Sequence, residues 1–307
     1  MTKTQRMRAL INGERICISP GVYDGYSVRL VQQMGYETAS TTGAGLSNSR
    51  LGKSESIGIM SMLENVAACR ALADAVDIPL MADADTGYGN AVTVFHAVRA
   101  FEDAGVVGIN IEDQTYPKRC GHYVGKELID AREMAGKIEA AVDARRDDDF
   151  ILVARTDAIA VEGLDKAIER ARLYAAAGAD MIFPDAVRSE DQIKRFLDEV
   201  PASLSINMGL GIRSRATTPL IPLSKLEAMG VARVSLPRML PAAAIAGMRQ
   251  ALTLMKDSIE SGIVMDRKDL LVGVEEIMEL IGDNDVNALE QRYLLPEQLQ
   301  KKYHPHG

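Results

Sequence analysis

The stretch Glu102-Asp103-Ala104-Gly105-Val106-Val107-Gly108-Ile109-Asn110-Ile111-Glu112-Asp113 carries the architecture in miniature. It opens as a helix end stopped by Gly105, a residue that takes the left-handed cap conformation without a Cβ penalty. It continues as a short, largely apolar run, 106–112, and closes on two acids. Near-continuous apolar character, repeated in Ile151-Leu152-Val153-Ala154, suits a parallel strand covered on both faces, with helices making the crossovers.

The same cadence extends in both directions. Helix ends stopped by glycine recur at Gln33-Met34-Gly35-Tyr36, Ala176-Ala177-Gly178-Ala179 and Glu227-Ala228-Met229-Gly230. Short β-prone runs fall at 15–19, 37–42, 79–84, 106–112, 150–155, 180–184, 203–207 and 232–236, and each leads into a longer amphipathic, Ala-rich segment. Eight such units predict an α/β fold of the (β/α)8 TIM-barrel type over residues 1–258. An open doubly wound sheet gives the same alternation; the strand count favours closure. After about Asp257 the cadence stops, and 259–307 reads as extra helices that pack on the barrel or on a neighbouring subunit.

Composition narrows the function. With 47% hydrophobic and 25% charged residues the chain is an ordinary globular protein with a large core, and its 307 residues fit one barrel with additions. A net charge of −8 argues against a nucleic-acid surface, which needs clustered Lys and Arg. A small anionic substrate stays compatible, because a few local cations outweigh the global sign. The first residues, MTKTQRMRAL, meet no apolar stretch of signal or membrane length, so no membrane association is expected. Three widely spaced cysteines, Cys17, Cys69 and Cys120, fit a reducing compartment, and the cytoplasm is the simplest placement.

Polar residues gather at the C-terminal ends of the strands, where barrel enzymes build their sites. Strand three ends Met81-Ala82-Asp83-Ala84-Asp85-Thr86-Gly87, and strand alternation would turn Asp83 and Asp85 to one face. Two carboxylates so placed repel unless a cation or proton intervenes. Strand four adds Glu112 and Asp113, strand five Arg155 and Asp157, strand six Asp185. Singly, each acid is as readily a helix cap or a partner of Arg155. As a set of oxygen donors without a histidine cluster they point to a hard ion, Mg²⁺ or alternatively Mn²⁺.

Lys118-Arg119-Cys120-Gly121-His122 is the most specific segment. A thiol flanked by Lys118, Arg119 and His122 is expected to have a lowered pKa and to serve as a proton donor or acceptor, although a solvated basic loop gives the same composition. Cys17 and Cys69 read as core residues and His96 as structural, while His304 and His306 lie in a tail too short for a persuasive metal site.

With these residues the chain resembles the isocitrate lyase and phosphoenolpyruvate mutase superfamily. The likeness rests on Pro20-Gly21-Val22-Tyr23-Asp24, Thr42-Gly43-Ala44-Gly45, Asp83-Ala84-Asp85-Thr86-Gly87-Tyr88-Gly89, Ile111-Glu112-Asp113-Gln114, Pro117-Lys118-Arg119-Cys120-Gly121-His122, Ala154-Arg155-Thr156-Asp157 and Ala177-Gly178-Ala179-Asp180. The Lys-Arg-Cys-Gly-His segment resembles the carbon–carbon lyase branch, that of methylisocitrate lyase and dimethylmalate lyase. The resemblance implies that Asp83, Asp85 and Glu112 hold Mg²⁺ largely through water. It implies that backbone N–H groups of Thr42, Gly43 and Ala44 bind substrate oxygens, that Cys120 and Gly121 meet the substrate, and that Arg155 and Asn207 anchor a carboxylate. It also implies a homotetramer, a dimer of helix-swapped dimers, and cleavage of a 2-hydroxy di- or tricarboxylate into a 2-oxo acid and a carboxylate. Phosphonopyruvate hydrolase, phosphoenolpyruvate mutase and oxaloacetate decarboxylase or hydrolase chemistry are the alternatives on the same barrel.

Four departures from that branch bear on the substrate. Asp185 stands where methylisocitrate lyases carry Glu, and the loop 208–215 is longer and lacks an acid. Ala242 stands where an Arg is expected, with Arg238 near in sequence, and Glu55 is the nearest acid to a missing Leu-Pro-Asp. Arg213, Arg215 and Arg238 either define a different anion pocket or are surface charge. A dicarboxylate such as 2,3-dimethylmalate is the expected substrate.

Overall fold

The computed structural model describes residues 1–119, 125–213 and 217–303. Eight parallel strands, β1 Cys17–Val22, β2 Ala39–Thr41, β3 Leu80–Asp83, β4 Gly108–Glu112, β5 Ile151–Thr156, β6 Met181–Pro184, β7 Ser203–Asn207 and β8 Arg233–Leu236, pair in sequence order, and β8 closes on β1. The barrel is therefore closed, and the open-sheet alternative is excluded. The β1 prediction, 15–19, began and ended too early. Pro20 and Gly21, poor strand residues in isolation, both lie in register, Pro20 opposite Leu236 and Gly21 opposite Ser40. A Cβ on Gly21 would stand 2.4 Å from the Pro237 Cα, so close approach of the β8 end requires glycine there.

Strand alternation sorts the side chains into two cores. Ile109, Ile111, Leu152, Ala154, Ile182, Ile206 and Val234 face the helices and pack with Leu46, Val94, Phe101, Ile138 and Phe196. Cys17, Met81, Ile151, Val153, Met181 and Phe183 fill the lumen, where they meet Met7 and Ile11 of the helix Lys3–Ile11. That helix is tied down by bonds from Lys3 Nζ to the Ala73 and Val76 carbonyls and from Arg8 to Asp180. It plugs the N-terminal mouth and leaves the opposite mouth for a site.

Two compact units divide the chain at Ala243 and Ala244. The division falls inside a helix that runs unbroken from Met239 to Ser261, ahead of residue 258, where the strand cadence stops. The second unit is helical, with Val274–Ile281, Asp283–Tyr293 and Pro296–Tyr303 following. Among the described residues no helix is long and apolar enough to cross a membrane.

Candidate active site

Asp83 is the last residue of β3, held there by its N–H donating to Thr41 Oγ1 at 2.9 Å. Beyond it the strand does not continue. Asp85 takes φ 49°, and its N–H donates to Asp83 Oδ1 at 3.0 Å. The two carboxylates thus come together as predicted, but through a left-handed turn and not through strand alternation. Across from them Thr42 caps the helix Gly43–Leu51, its Oγ1 accepting from Gly45 N–H at 3.2 Å. The Gly43 N–H donates to Asp83 Oδ2 at 3.2 Å, and a Cβ on Gly43 would sit 2.6 Å from that oxygen and 3.3 Å from Asp85 Oδ1. The N-terminus of this helix, with its partial positive charge, therefore points at the acids.

Lys118 was expected to flank a thiol. Its Nζ bridges two carboxylates, Asp85 Oδ1 at 2.8 Å and Glu55 Oε2 at 3.0 Å. Burial pulls the Lys118 ammonium down, but Asp85, Glu112, Asp83 and Glu55 together hold its pKa well above the ordinary range. Burial raises the Asp85 carboxyl against the opposing pull of Lys118. Glu112, at the end of β4, is pushed up to about 8 by burial, with Arg155 and Lys118 opposing. Neither Glu112 oxygen has a hydrogen-bond partner among the described residues; Arg155 Nε approaches to 3.3 Å without hydrogen-bond geometry.

Arg155, on β5, is the second hub. Its guanidinium forks onto Asp157, Nε to Oδ2 at 2.9 Å and Nη2 to Oδ1 at 3.2 Å, and lies 3.4 Å from Asp185 Oδ1. Asp157 also accepts from Lys126 Nζ at 2.8 Å. Burial opposes its charge, but Arg155 and Lys126 outweigh burial and hold the Asp157 carboxyl below its usual range. Thr42, Ala44, Asp83, Lys118, Arg155, Asp185 and Asn207 then line a single cleft, joined by Glu55 and Arg238.

Cys120, Gly121 and His122 lie outside the described residues. Their flanks are anchored. The excursion after β4 is stapled by Thr115 N–H to the Glu127 carbonyl at 2.9 Å and by a bridge between Gln114 and Leu128. The Gln114 amide clamps Arg119 through both its N–H and its carbonyl. Lys118 before the undescribed stretch and Lys126 after it are both buried among site acids. Cys17 and Cys69 are buried free thiols, as expected for core residues. His96 is exposed on its helix, edge-on to Phe95. Arg213 is exposed, whereas Arg215, His304 and His306 lie outside the described residues.

Sequence reasoning left Glu55 without a register and passed over Lys126. Nothing local marks a lysine as one that burial will set among acids. Arg238, read as either part of an anion pocket or surface charge, lines the cleft.

For a metal, the donor set is hard oxygen throughout. No three carboxylate, histidine or cysteine side chains among the described residues close on a common point at ligand distance. Both Glu112 oxygens and Asp185 Oδ2 are nonetheless buried without a hydrogen-bond partner among the described residues. These residues fit a small divalent ion that keeps much of its own water, as Mg²⁺ does.

The family model described as phosphoenolpyruvate phosphomutase matches residues 7–256. The chain is 38% identical to 2,3-dimethylmalate lyase from Eubacterium barkeri, over 95% of this chain and 99% of the relative. Among solved structures it superposes on oxaloacetate acetylhydrolase in complex with 3,3-difluorooxalacetate with a TM-score of 0.86 and 30% identity, covering 94% of this chain and 96% of that one. It superposes on a phosphonopyruvate hydrolase complex with oxalate and Mg²⁺ with a TM-score of 0.83 and 32% identity, covering 96% and 100%.

Proposed function

Because the chain belongs to the phosphoenolpyruvate mutase/isocitrate lyase superfamily, we propose that it is a magnesium-dependent carbon–carbon lyase that cleaves a 2-hydroxy dicarboxylate into a 2-oxo acid and a carboxylate. The convergence of Thr42, Ala44, Asp83, Lys118, Arg155 and Asn207 on one cleft carries the reading. Arg155, with its planar fork, and Asn207 hold one carboxylate of the substrate. The helix N-terminus at Gly43 and Ala44 faces the oxygen on which negative charge develops. Asp83, Asp85 and Glu112 would hold Mg²⁺ or Mn²⁺, which would supply counter-charge for that oxygen. As the hydroxyl gives its proton to a base in the cleft, the bond between the carbinol carbon and its neighbour breaks; the first becomes the 2-oxo carbon, and the second leaves as a carboxylate-stabilised carbanion. Cys120 delivers the proton that this carbanion takes up.

Two carboxylates, and not three, suit the cleft. Lys118 is already committed to Asp85 and Glu55, and Arg155, which also pairs with Asp157, serves one substrate carboxylate. Ala242 stands where a tricarboxylate lyase is expected to place an Arg, and a carboxylate desolvated without its partner costs several kcal/mol. We further propose a homo-oligomer, joined through the apolar stripe of the helix Met239–Ser261, and a cytoplasmic location, where the three thiols stay reduced.

A panel of 2-hydroxy and 2-oxo dicarboxylates, assayed for 2-oxo acid release with Mg²⁺, tests this. Pyruvate should appear from 2,3-dimethylmalate, vanish with EDTA and return with Mg²⁺ or Mn²⁺. Turnover of phosphonopyruvate alone, oxalate formation from oxaloacetate as the sole activity, or full turnover in metal-free protein would refute it.

A further inference from the structure

Arg233 is fully buried in the barrel lumen, and none of its described partners is an acid. Its Nη2 donates to Ser40 Oγ and its Nη1 to Ser205 Oγ at 3.5 Å, while Nε has no acceptor among the described residues. Ser40 is in turn shared with Ser19 Oγ at 2.6 Å. A charge so placed is costly, because two neutral hydroxyls do not replace its hydration. An apolar residue would fill the position at no such cost, as most lumen positions here are filled.

Its height in the barrel is fixed by register. Arg233 pairs with Ser205, one inward-facing residue below Asn207, and Ser40 lies one inward-facing residue below Thr42. The guanidinium is thus one side-chain layer, about 7 Å along the strands, beneath the residues that line the substrate cleft. A cavity of about 50 Å³ joins the two levels, with Arg233, Ser40 and Asn110 at its floor and Asp83, Arg155 and Asn207 at its roof. At the cleft itself six acids, Glu55, Asp83, Asp85, Glu112, Asp157 and Asp185, stand with four cations, Lys118, Lys126, Arg155 and Arg238, so acids exceed cations around the place where an anion must enter.

We propose that Arg233 is the electrostatic floor of this pocket, a positioning residue whose fixed charge holds an anionic substrate in the acid-rich cleft without touching it. This deepens the lyase reading and rests on its anionic substrate. Oxalate binding measured by calorimetry, with Mg²⁺ in excess, tests it for the wild type and for Arg233→Met, Arg233→Gln and Arg233→Lys. The neutral variants should bind oxalate roughly tenfold more weakly or worse, the size of a unit-charge attraction over about 10 Å at an effective dielectric of about 20. Arg233→Lys, measured at about pH 5.5 where a buried ammonium keeps more of its charge, should bind oxalate more tightly than Arg233→Gln, and Arg233→Met should melt no lower than wild type, since an uncompensated charge has been removed. A merely structural arginine gives the opposite pattern: lower melting in Met and Gln and unchanged oxalate affinity in whatever folds. If Arg233→Met does not fold, Gln against Lys decides, and equal affinity overturns the proposal. A wild type that binds no oxalate removes the functional reading and this inference together, whereas tight binding unaffected by charge removes only the inference.

Discussion

Lys118 ties together two segments that are otherwise separate, the turn after β3 that carries Asp85 and the short helix Glu55–Ile57. Lys118→Met would leave both carboxylates buried and facing each other, a change of about 3–5 kcal/mol when one partner of a buried pair is removed. We expect a lower melting temperature and at least a 10²-fold loss of kcat/KM; wild-type stability would show that the bridge carries no strength. Cys120→Ser should reduce cleavage by about 10²-fold, the scale of lost general acid catalysis, with little change in substrate Kd. Cleavage at the wild-type rate would remove the thiol from the chemistry. Cys17 and Cys69 behave differently, because burial pushes their thiols up to about 11 and about 12. They stay protonated at pH 8, so iodoacetamide should label Cys120 alone in the native protein. Their folded pKa values exceed the unfolded value of about 8.5, so the stability they contribute is complete below that pH and is lost as pH climbs toward 11 and 12. Chemical denaturation should therefore show falling stability from about pH 9 upward. At this scale the sequence named the acids and the loop thiol, since residue type and strand-end position suffice for that. It did not reveal the left-handed turn at Asp85 or the burial of Lys126, because both depend on what other strands bring near.

The helix Gly43–Leu51 shows how an element sets a site. Its first residue is a glycine, at which a Cβ would lie 2.6 Å from Asp83 Oδ2. Gly43→Ala should leave the fold intact, since the clash is with the end of a side chain, but should displace the Asp83 carboxylate. The Mg²⁺ concentration for half-maximal activity should rise by about tenfold, a shift of about 1.4 kcal/mol; an unchanged metal response would place Asp83 outside the metal site. Six of the other seven strands were legible to within two residues and β7 was found at its predicted bounds, because Gly-stopped helices and apolar runs mark each entry. The β1 shift had a tertiary cause. Pro20 and Gly21 are poor strand residues in isolation, and Gly21 is kept by the Pro237 backbone passing over it.

Across the whole molecule, the barrel was legible as a count of units, while the use of the last helices was not. Ile245, Met248, Leu252, Met255 and Ile259 recur at spacings of three and four along the helix Met239–Ser261, and all are exposed. Such a stripe is an interface pattern. Leu252→Asp combined with Ile259→Asp should shift sedimentation from an oligomer to a 33.3 kDa species, and an unchanged oligomer would place the interface elsewhere. We propose that the acid-rich barrel mouth, with Arg155, Arg238 and the Arg233 floor, takes two carboxylates. Comparing kcat/KM for 2,3-dimethylmalate with that for 2-methylisocitrate tests it most directly, because the ratio reports differential transition-state binding. A ratio of at least about tenfold in favour of 2,3-dimethylmalate is expected, equivalent to about 1.4 kcal/mol. A clear preference for 2-methylisocitrate would contradict it and would mean that the cleft supplies a cation for a third carboxylate.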